Sequence, residues 1–208
     1  MHLLFFRNAE IHFNLWNHPI RLLQVATYTE KKNQLELLEA LQDRHAGRFS
    51  LSFYGEFYNQ AYVHEIQKVA RSKHKHSISI NGKLNFEDYL KALRYTHFSM
   101  QWSKRTKTND TEGGCPVFIK DSLGLGRPVI GSRHCDIPDI LVHHFNAYLT
   151  EEQDLNALTE ILDEIMSIDS FTYLKLQRNA LQSVHENKSA HLSGRELTEV
   201  YCKMINGL

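Results

Sequence analysis

Residues 112–149 read EGGCPVFIKDSLGLGRPVIGSRHCDIPDILVHHFNAYL, and this stretch decides the fold because it joins a glycine pair, a helix and a buried strand. The two glycines allow close approach to the backbone, and Pro116 suits the first turn of a helix. Gly126 then ends the helix, and residues 128–130 begin a short apolar strand. Because the free N–H groups at a helix start attract anions, the stretch predicts a phosphate site.

The composition favours one globular domain without a bulk electrostatic character. The 208 residues are 42% hydrophobic, which is enough to bury a core. Lysine plus arginine equals aspartate plus glutamate at 24 each, so the charge balance indicates neither a nucleic-acid-binding surface nor an acidic tail. We therefore expect no nucleic-acid partner.

Cysteine usage and the apolar runs bear on the compartment. The three cysteines, Cys115, Cys135 and Cys202, are widely spaced and form no Cys-x-x-Cys motif, which is typical of reduced thiols. The apolar start at residues 1–6 is too short for a signal sequence, and no run approaches the length of a membrane span. The sequence thus predicts a soluble, cytoplasmic protein.

Strand and helix patterns alternate along most of the chain, which predicts the α/β class with a parallel sheet covered by helices on both faces. The first twenty residues show no clear periodicity, so residues 1–19 are interpreted as a lead-in or linker and residues 20–208 as the domain. Asn85 and Asp154 are predicted helix caps, and two further helices are expected over 171–187 and 193–206. The predicted strands are 21–26, 49–54, 77–80, 97–102 and 128–130.

The loops that follow these strands should meet. Right-handed crossovers place helices on the faces of a parallel sheet, and ligands bind beyond the carboxyl ends of its strands. Four loops of this kind are residues 27–32, 55–56, 82–84 and 112–116. The sequence therefore predicts a ligand site at one edge of the sheet.

Thirteen histidines raise the question of a metal site. His74 lies close to His76, and His143 is next to His144, but neither pair has carboxylates or thiols at ligand spacing. We interpret both pairs as surface residues and predict no metal, with a metal site as the open alternative.

Several motifs occur in an order that resembles a known family. They are Val25-Ala26-Thr27 with Lys32, Gly55-Glu56, Gly82-Lys83-Leu84, Gly113-Gly114-Cys115-Pro116 with Asp121, Gly126-Arg127-Pro128-Val129-Ile130, Ile137-Pro138-Asp139-Ile140 and Asn146-Ala147-Tyr148-Leu149. With His191-Leu192-Ser193 and Tyr201 near the end, residues 20–208 resemble the C-terminal, nucleotide-sugar-binding domain of GT-B glycosyltransferases. Within that fold, the resemblance is to family 4 of retaining enzymes. It implies a Rossmann-like parallel sheet flanked by helices.

The resemblance also implies an activity and roles for individual residues. The activity is hexosyl transfer from a nucleotide-diphosphate sugar with retention, without a metal or other cofactor. Lys32 matches the lysine that contacts the donor diphosphate, and Glu112 lies one position before the first family glutamate, which contacts the sugar. These two residues are the candidate catalytic pair. The donor-binding candidates are Thr27, Lys83, Leu84, Gly113, Gly114, Cys115, Pro116, Val117 and Asp121.

The resemblance also implies which part of the donor molecule each of these residues contacts. Asp121 stands for the second family glutamate, which accepts hydrogen bonds from the ribose, and Lys83 and Leu84 lie in the loop whose backbone meets the base. The backbone N–H groups of Gly114, Cys115, Val117 and Phe118 would hold the phosphates at the helix start.

Several positions depart from the family pattern. Thr27 replaces an arginine, so the guanidinium fork that pairs with phosphate is missing, and Arg133 or Arg21 is a possible substitute. Gly113 stands at the first glutamate, and a backbone shift is needed for Glu112 to serve there. Cys135 and Ala147 replace glycines at places where the family requires positive φ.

GT-B enzymes bind their substrates between two domains, and this chain matches one. The acceptor, a glycan, lipid or protein, is therefore expected to meet it through an N-terminal domain or a partner chain, with peripheral membrane contact through that half. Two alternatives stay open at this point. One is an inactive nucleotide-sugar-binding or scaffold domain, and the other is a nucleotide-sugar epimerase of the same architecture.

Overall fold

The computed structural model describes residues 19–186. The predicted helix over 193–206, together with nearly all of the predicted lead-in over 1–19, lies outside the described residues. Within the described part, no helix is long and apolar enough to cross a membrane.

Six parallel strands form one sheet in the order β3-β2-β1-β4-β5-β6. This Rossmann-type order confirms the predicted α/β class, and all five predicted strands are present within one or two residues. The sixth strand was not predicted. The strands are β1 Ile20–Val25, β2 Phe49–Tyr54, β3 Ser77–Asn81, β4 Phe98–Gln101, β5 Val129–Ser132 and β6 Ala147–Thr150.

The helices connect and cover the strands. Their bounds are α1 Gln34–Glu39, α2 Gln60–Ser72, α3 Phe86–Tyr95, α4 Val117–Gly124, α5 Leu155–Ile165 and α6 Ser170–Glu186, with short 3-10 turns at Glu30–Lys32, Asp43–His45 and Ile137–Asp139. The predicted caps are confirmed, since Asn85 accepts a hydrogen bond from the Asp88 N–H at 2.9 Å and Asp154 from the Ala157 N–H at 3.0 Å.

Gly126 ends α4, the helix of the predicted phosphate site, as the sequence predicted. Its φ of 68° is left-handed, and its N–H donates to the Leu123 carbonyl at 2.9 Å, which closes the end of α4. The chain then enters β5 through Pro128.

The largest core lies on the face of the sheet covered by α1, α2, α5 and the start of α6, where Phe53, Ile66 and Leu162 are buried. On the opposite face, Leu93 of α3 and Phe118 of α4 pack with neighbouring apolar side chains. These two layers fix the strand ends, and so they fix the loops that carry the candidate site.

Helices flank both faces of the sheet, but the two faces of β2 are covered unequally. Its sequence, FSLSFY, buries Phe49, Leu51 and Phe53, but Ser50 and Ser52 on the other face are half-buried. There the Ser79 hydroxyl of β3 donates to the Ser52 hydroxyl at 3.0 Å. The alternation arises because α3 crosses towards β4 and packs on β1, which leaves this face of β2 less covered.

Candidate functional site

The loops after β1, β2 and β3 join at the carboxyl edge of the sheet. Tyr28 is fully buried there, and its N–H donates to the Glu56 carbonyl at 3.1 Å. Its hydroxyl donates to the Asn81 carbonyl at 2.8 Å and accepts from the Asn81 N–H at 3.1 Å. The predicted convergence of these loops is confirmed.

Gly55 is required by this convergence. A Cβ at that position would lie 1.8 Å from the Ala26 carbonyl oxygen, so any side chain would force β1 and β2 apart at their ends. The glycine therefore has a packing role. It lets the loop after β2 lie against the start of the loop after β1, which carries Lys32.

The order of the strands places the switch point between β1 and β4, where the chain leaves the sheet in opposite directions. The loop after β1 forms the 3-10 turn at Glu30–Lys32, and Asn33 follows with a left-handed φ of 59°. This turn is attached to the sheet because the Gln24 amide donates to the Lys32 carbonyl at 2.9 Å. It is attached to the loop after β4 by the Lys104 N–H, which donates to the Lys31 carbonyl at 3.0 Å.

The two candidate catalytic residues meet at this point. Lys32 Nζ lies 2.6 Å from Glu112 Oε1, and the two side chains are only 14% and 9% exposed. The Ser103 hydroxyl donates to the same carboxylate oxygen at 2.7 Å, and the Gln101 amide donates to that hydroxyl at 2.7 Å. A hydrogen-bonded chain thus runs from the end of β4 to the ion pair.

The backbone of Glu112 is held by a histidine that the sequence interpretation missed. The Glu112 N–H donates to Nε2 of His134 at 3.0 Å, and the ring is fully buried. Its other nitrogen, Nδ1, lies 2.7 Å from Glu152 Oε1. His134 follows the carboxyl end of β5, so the rule that predicted the other site residues could have found it, whereas Glu152 follows β6, a strand that the sequence did not predict.

Glu152 is anchored in turn. Burial by itself raises the pKa of Glu152, but hydrogen bonds from the Arg105 N–H at 2.8 Å and from His134 outweigh that effect and hold the pKa below its usual range. Glu152 is therefore a carboxylate at neutral pH.

The start of α4 lies beside the pair and is open to solvent. A Cβ on Gly113 would meet nothing within 4 Å, and one on Gly114 would meet only Asp136 Oδ2, at 3.8 Å. Pro116 precedes the helix, whose first residue, Val117, is 70% exposed. The Ile119 N–H donates to the Pro116 carbonyl at 3.0 Å. By helix geometry, the N–H groups of Val117 and Phe118 have no partner within the helix, so this open loop can receive an acceptor group from a ligand.

Carboxylates also surround this helix start. Burial raises the pKa of the Cys115 thiol, and the nearby negative charges of Asp136, Asp139 and Glu112 raise it further, while Lys120 acts in the opposite direction. An incoming anion therefore meets acidic as well as basic groups here.

The lysines at the switch point contact carboxylates as well. Besides the Lys32 pair, Lys31 lies 2.9 Å from Asp110 and Lys104 lies 2.5 Å from Glu36. The site is thus close to electrically balanced, and a bound anion would have to compete with these carboxylates.

Asp121 occupies the inward side of α4 and is half-buried. Its Oδ2 accepts a hydrogen bond from the Tyr89 hydroxyl at 2.7 Å. Burial raises the pKa of Tyr89 well above its usual range, and the contact with the carboxylate adds to the effect. The ribose contact of Asp121 stays a prediction.

The remaining candidates lie in the loops after β1 and β3. Thr27 and Lys83 are exposed, and Leu84 is half-buried. The ring of Phe57, from the loop after β2, stacks on Tyr28 at 5.1 Å between centroids. The same ring reaches to 4.0 Å from the place of a Cβ on Gly82, which begins the Lys83 loop.

Arg21 cannot replace the missing guanidinium at Thr27. It lies at the start of β1, on the opposite edge of the sheet, where its Nη2 is 3.0 Å from His97 Nε2 and its Nε donates to the Tyr95 carbonyl. Arg133 follows β5 on the correct edge, with its Nε 3.3 Å from Glu151 Oε1. It stays a candidate.

Two further expectations concern backbone conformation. Cys135 has a φ of 46°, as expected for a position where the family has glycine. Ala147 instead lies inside β6, where it pairs with Val129, and its φ is not positive.

The histidine pairs do not form metal sites in the described part of the chain. Among residues 19–186, no group of three or more His, Cys, Asp or Glu side chains is arranged to hold a metal ion. His143 and His144 have ring centroids 3.9 Å apart, and His143 Nδ1 accepts a hydrogen bond from the Leu149 N–H at 2.9 Å.

Comparison with known proteins places this geometry in a family. Residues 19–167 match the family model described as glycosyl transferases group 1. The amylovoran biosynthesis glycosyltransferase AmsK of Erwinia amylovora is 25% identical over 186 residues, which cover 88% of this chain and 45% of that protein.

Solved structures show the same fold. A glycosyltransferase from Rickettsia africae superposes with a TM-score of 0.79 at 20% identity, over 91% of this chain and 48% of that one. Anabaena HepE, solved in complex with UDP and glucose, gives a TM-score of 0.75 at 16% identity, over 89% of this chain and 48% of that one. The chain thus spans about half the length of these relatives. Since the family model covers most of the sequence, the chain belongs to the glycosyl transferases group 1 family.

Proposed function

We propose that this chain is the donor-binding, C-terminal half of a retaining GT-B glycosyltransferase of family 4. It would bind a nucleotide-diphosphate sugar and present the sugar for transfer to an acceptor. The observation that carries the proposal is the Lys32–Glu112 pair, because it brings the two sequence-predicted catalytic residues together at the switch point of the sheet.

The geometry suggests what each group would do. Lys32 would stabilise the negative charge that develops on the leaving diphosphate, and the first N–H groups of α4 would hold the phosphates across the open loop at Gly113 and Gly114. Glu112 would contact the sugar. Asp121 would accept from the ribose, and the backbone at Lys83 and Leu84 would meet the base.

No metal or other cofactor enters this proposal, since a lysine and a helix start supply the positive potential. HepE has been solved with UDP and glucose, so UDP-glucose is the first donor to test. The acceptor would be a glycan, lipid or protein bound through an N-terminal domain or a partner chain. Peripheral membrane contact would come through that half, and the reaction would take place in the cytoplasm.

Calorimetric titration with UDP-, GDP- and ADP-sugars tests the proposal. We expect one nucleotide class to bind and Lys32→Ala to weaken that binding at least tenfold, or about 1.4 kcal/mol. Lys31→Ala is the matched control, because its partner Asp110 is 59% exposed and the pair lies at the rim. Absence of binding by every sugar nucleotide would overturn the proposal.

A second candidate is an inactive domain that binds sugar nucleotides or serves as a scaffold. It is favoured by the threonine at position 27 and by the carboxylate partner of each switch-point lysine. Under this alternative, Lys32→Ala would leave binding unchanged, and adding the other half of the enzyme would produce no transfer.

A further inference from the structure

We propose that His134 is the positioning residue for Glu112, and that it acts as a neutral ring with its proton on Nδ1. In this form it holds the Glu112 backbone so that the carboxylate points at Lys32. The functional part of this proposal rests on the proposed function, in which Lys32 and Glu112 contact the sugar-nucleotide donor. The geometry of the histidine is independent of that function.

The hydrogen-bond partners determine the tautomer. A backbone N–H can only donate, so Nε2 must be the bare nitrogen that accepts from Glu112 at 3.0 Å. The ionised Glu152 carboxylate can only accept, so Nδ1 must carry the proton across the 2.7 Å contact. In the other tautomer, the Nε2–H would face the Glu112 N–H, which is also a donor, and the bare Nδ1 would face the Glu152 carboxylate, which is also an acceptor.

The ring joins three loops that would otherwise be independent. His134 follows β5, Glu112 follows β4, and Glu152 follows β6. Glu112 is next to Gly113 and Gly114, which restrict the backbone least of all residues. A fixed acceptor for the Glu112 N–H is therefore what holds this carboxylate in place beside a flexible glycine pair.

Protonation of Nε2 would break the arrangement, since the new N–H would face the Glu112 N–H. On the loop after β6, Glu152 Oε1 lies 2.7 Å from Nδ1. On the ring's own loop, Cys135 Sγ lies 3.4 Å from Nε2. On the loop after β4, the Glu112 carboxylate is paired with Lys32.

Two arginines complete the charged surroundings. Arg105, on the loop after β4, donates its backbone N–H to Glu152, and Arg133 beside the histidine pairs with Glu151.

His45 provides a matched control within the same chain. It is also fully buried, its Nδ1 accepts from the Gln42 N–H at 3.0 Å, and its Nε2 lies 2.9 Å from Asp163 Oδ1. The pattern is the same with the two nitrogens exchanged, so His45 should be protonated on Nε2. It precedes β2 and lies on the sheet edge away from the candidate site.

Nitrogen-resolved NMR of the full chain, labelled with ¹⁵N in histidine and backbone amides, tests the tautomer without any ligand. We expect a bare Nε2 for His134 and a bare Nδ1 for His45 at neutral pH, and a Glu112 amide signal that follows the titration of the His134 ring. A protonated Nε2 on neutral His134 would overturn the proposal, and so would a Glu112 amide chemical shift that does not change when the protonation of the ring changes.

Variants connect the ring to the site. His134→Gln keeps an acceptor near the place of Nε2, so the Glu112 amide shift and UDP-sugar affinity should stay within about threefold of wild type. His134→Ala should displace the amide signal and weaken binding about tenfold, whereas His45→Ala should leave both unchanged. Equal effects of the two alanine variants on the Glu112 amide would contradict the positioning role.

The two proposals fail separately. If the wild type binds no sugar nucleotide, the proposed function is wrong, and the tautomer and the Glu112 amide titration still decide the role of His134. If His134→Ala does not fold, the wild-type spectra and His134→Gln carry the decision.

Discussion

The Lys32–Glu112 pair should be strongly coupled, and a double-mutant cycle measures the coupling. The two groups lie 2.6 Å apart with side-chain exposures of 14% and 9%. Removing one member of a buried pair leaves an uncompensated charge, which destabilises a protein by about 3–5 kcal/mol. Here the remaining exposure and the Ser103 hydrogen bond reduce that loss, so we expect about 3 kcal/mol for Lys32→Met.

The other arms of the cycle follow from the same contacts. Glu112→Gln keeps an oxygen that accepts from both Lys32 and Ser103, so its expected loss is about 1–2 kcal/mol. The double variant should lose about 2 kcal/mol, because it leaves neither charge unpaired, and the coupling free energy should then be about 2–3 kcal/mol.

Urea unfolding of the four proteins at pH 7 gives the free energies of unfolding. The Lys31–Asp110 pair is the control. Its two groups lie 2.9 Å apart with side-chain exposures of 23% and 59%, and such surface pairs contribute about 0–1 kcal/mol. A coupling below about 0.5 kcal/mol for Lys32 and Glu112, or one no larger than the control, would refute the reasoning. The slopes of unfolding against urea should stay equal if the four proteins share one native state.

Three further predictions concern packing, a hydrogen bond and pH. Gly55→Ala should destabilise the fold by more than about 3 kcal/mol in urea unfolding, because its Cβ would lie 1.8 Å from a backbone oxygen after β1, whereas Gly113→Ala should stay within about 0.5 kcal/mol. Tyr89→Phe should cost about 1–2 kcal/mol in the same assay, since its 2.7 Å hydrogen bond to a carboxylate of α4 is lost. Contacts led by the Arg44 hydrogen bond lower the pKa of Asp163 to about 2, below the unfolded value of about 3.9. The stabilisation is therefore complete above pH about 4 and lost as pH falls through about 2, so the deficit of Asp163→Asn should vanish towards pH 2 in urea unfolding across that range.

The sheet could be predicted because its strands are short apolar runs separated by amphipathic helices. β6 was missed, since Ala147–Thr150 follows the polar residues His143, His144 and Asn146 and has the length of an ordinary turn segment. Its pairing with β5 supplies the order that the local sequence lacks.

The candidate site could be predicted only as far as the strand-end rule reaches. That rule brings Lys32 and Glu112 to one edge, and applied strictly it would have excluded Arg21, which begins a strand instead of ending one. It cannot say which loops become hydrogen-bonded neighbours. The contacts of His134 with Glu112 and Glu152 join residues 22 and 18 positions away, and no local pattern marks them.

The balance of charge at the switch point determines how an anion could bind there. Lys31, Lys32 and Lys104 each contact a carboxylate, and Thr27 supplies no charge where the resemblance implies an arginine. A diphosphate would therefore gain Lys32 only by displacing or sharing it with Glu112, so binding exchanges one ion pair for another. Such an exchange makes the net electrostatic gain from Lys32 smaller than a lysine without a carboxylate partner would give, so the helix start and the contacts to the base and sugar must also contribute to the affinity of this half.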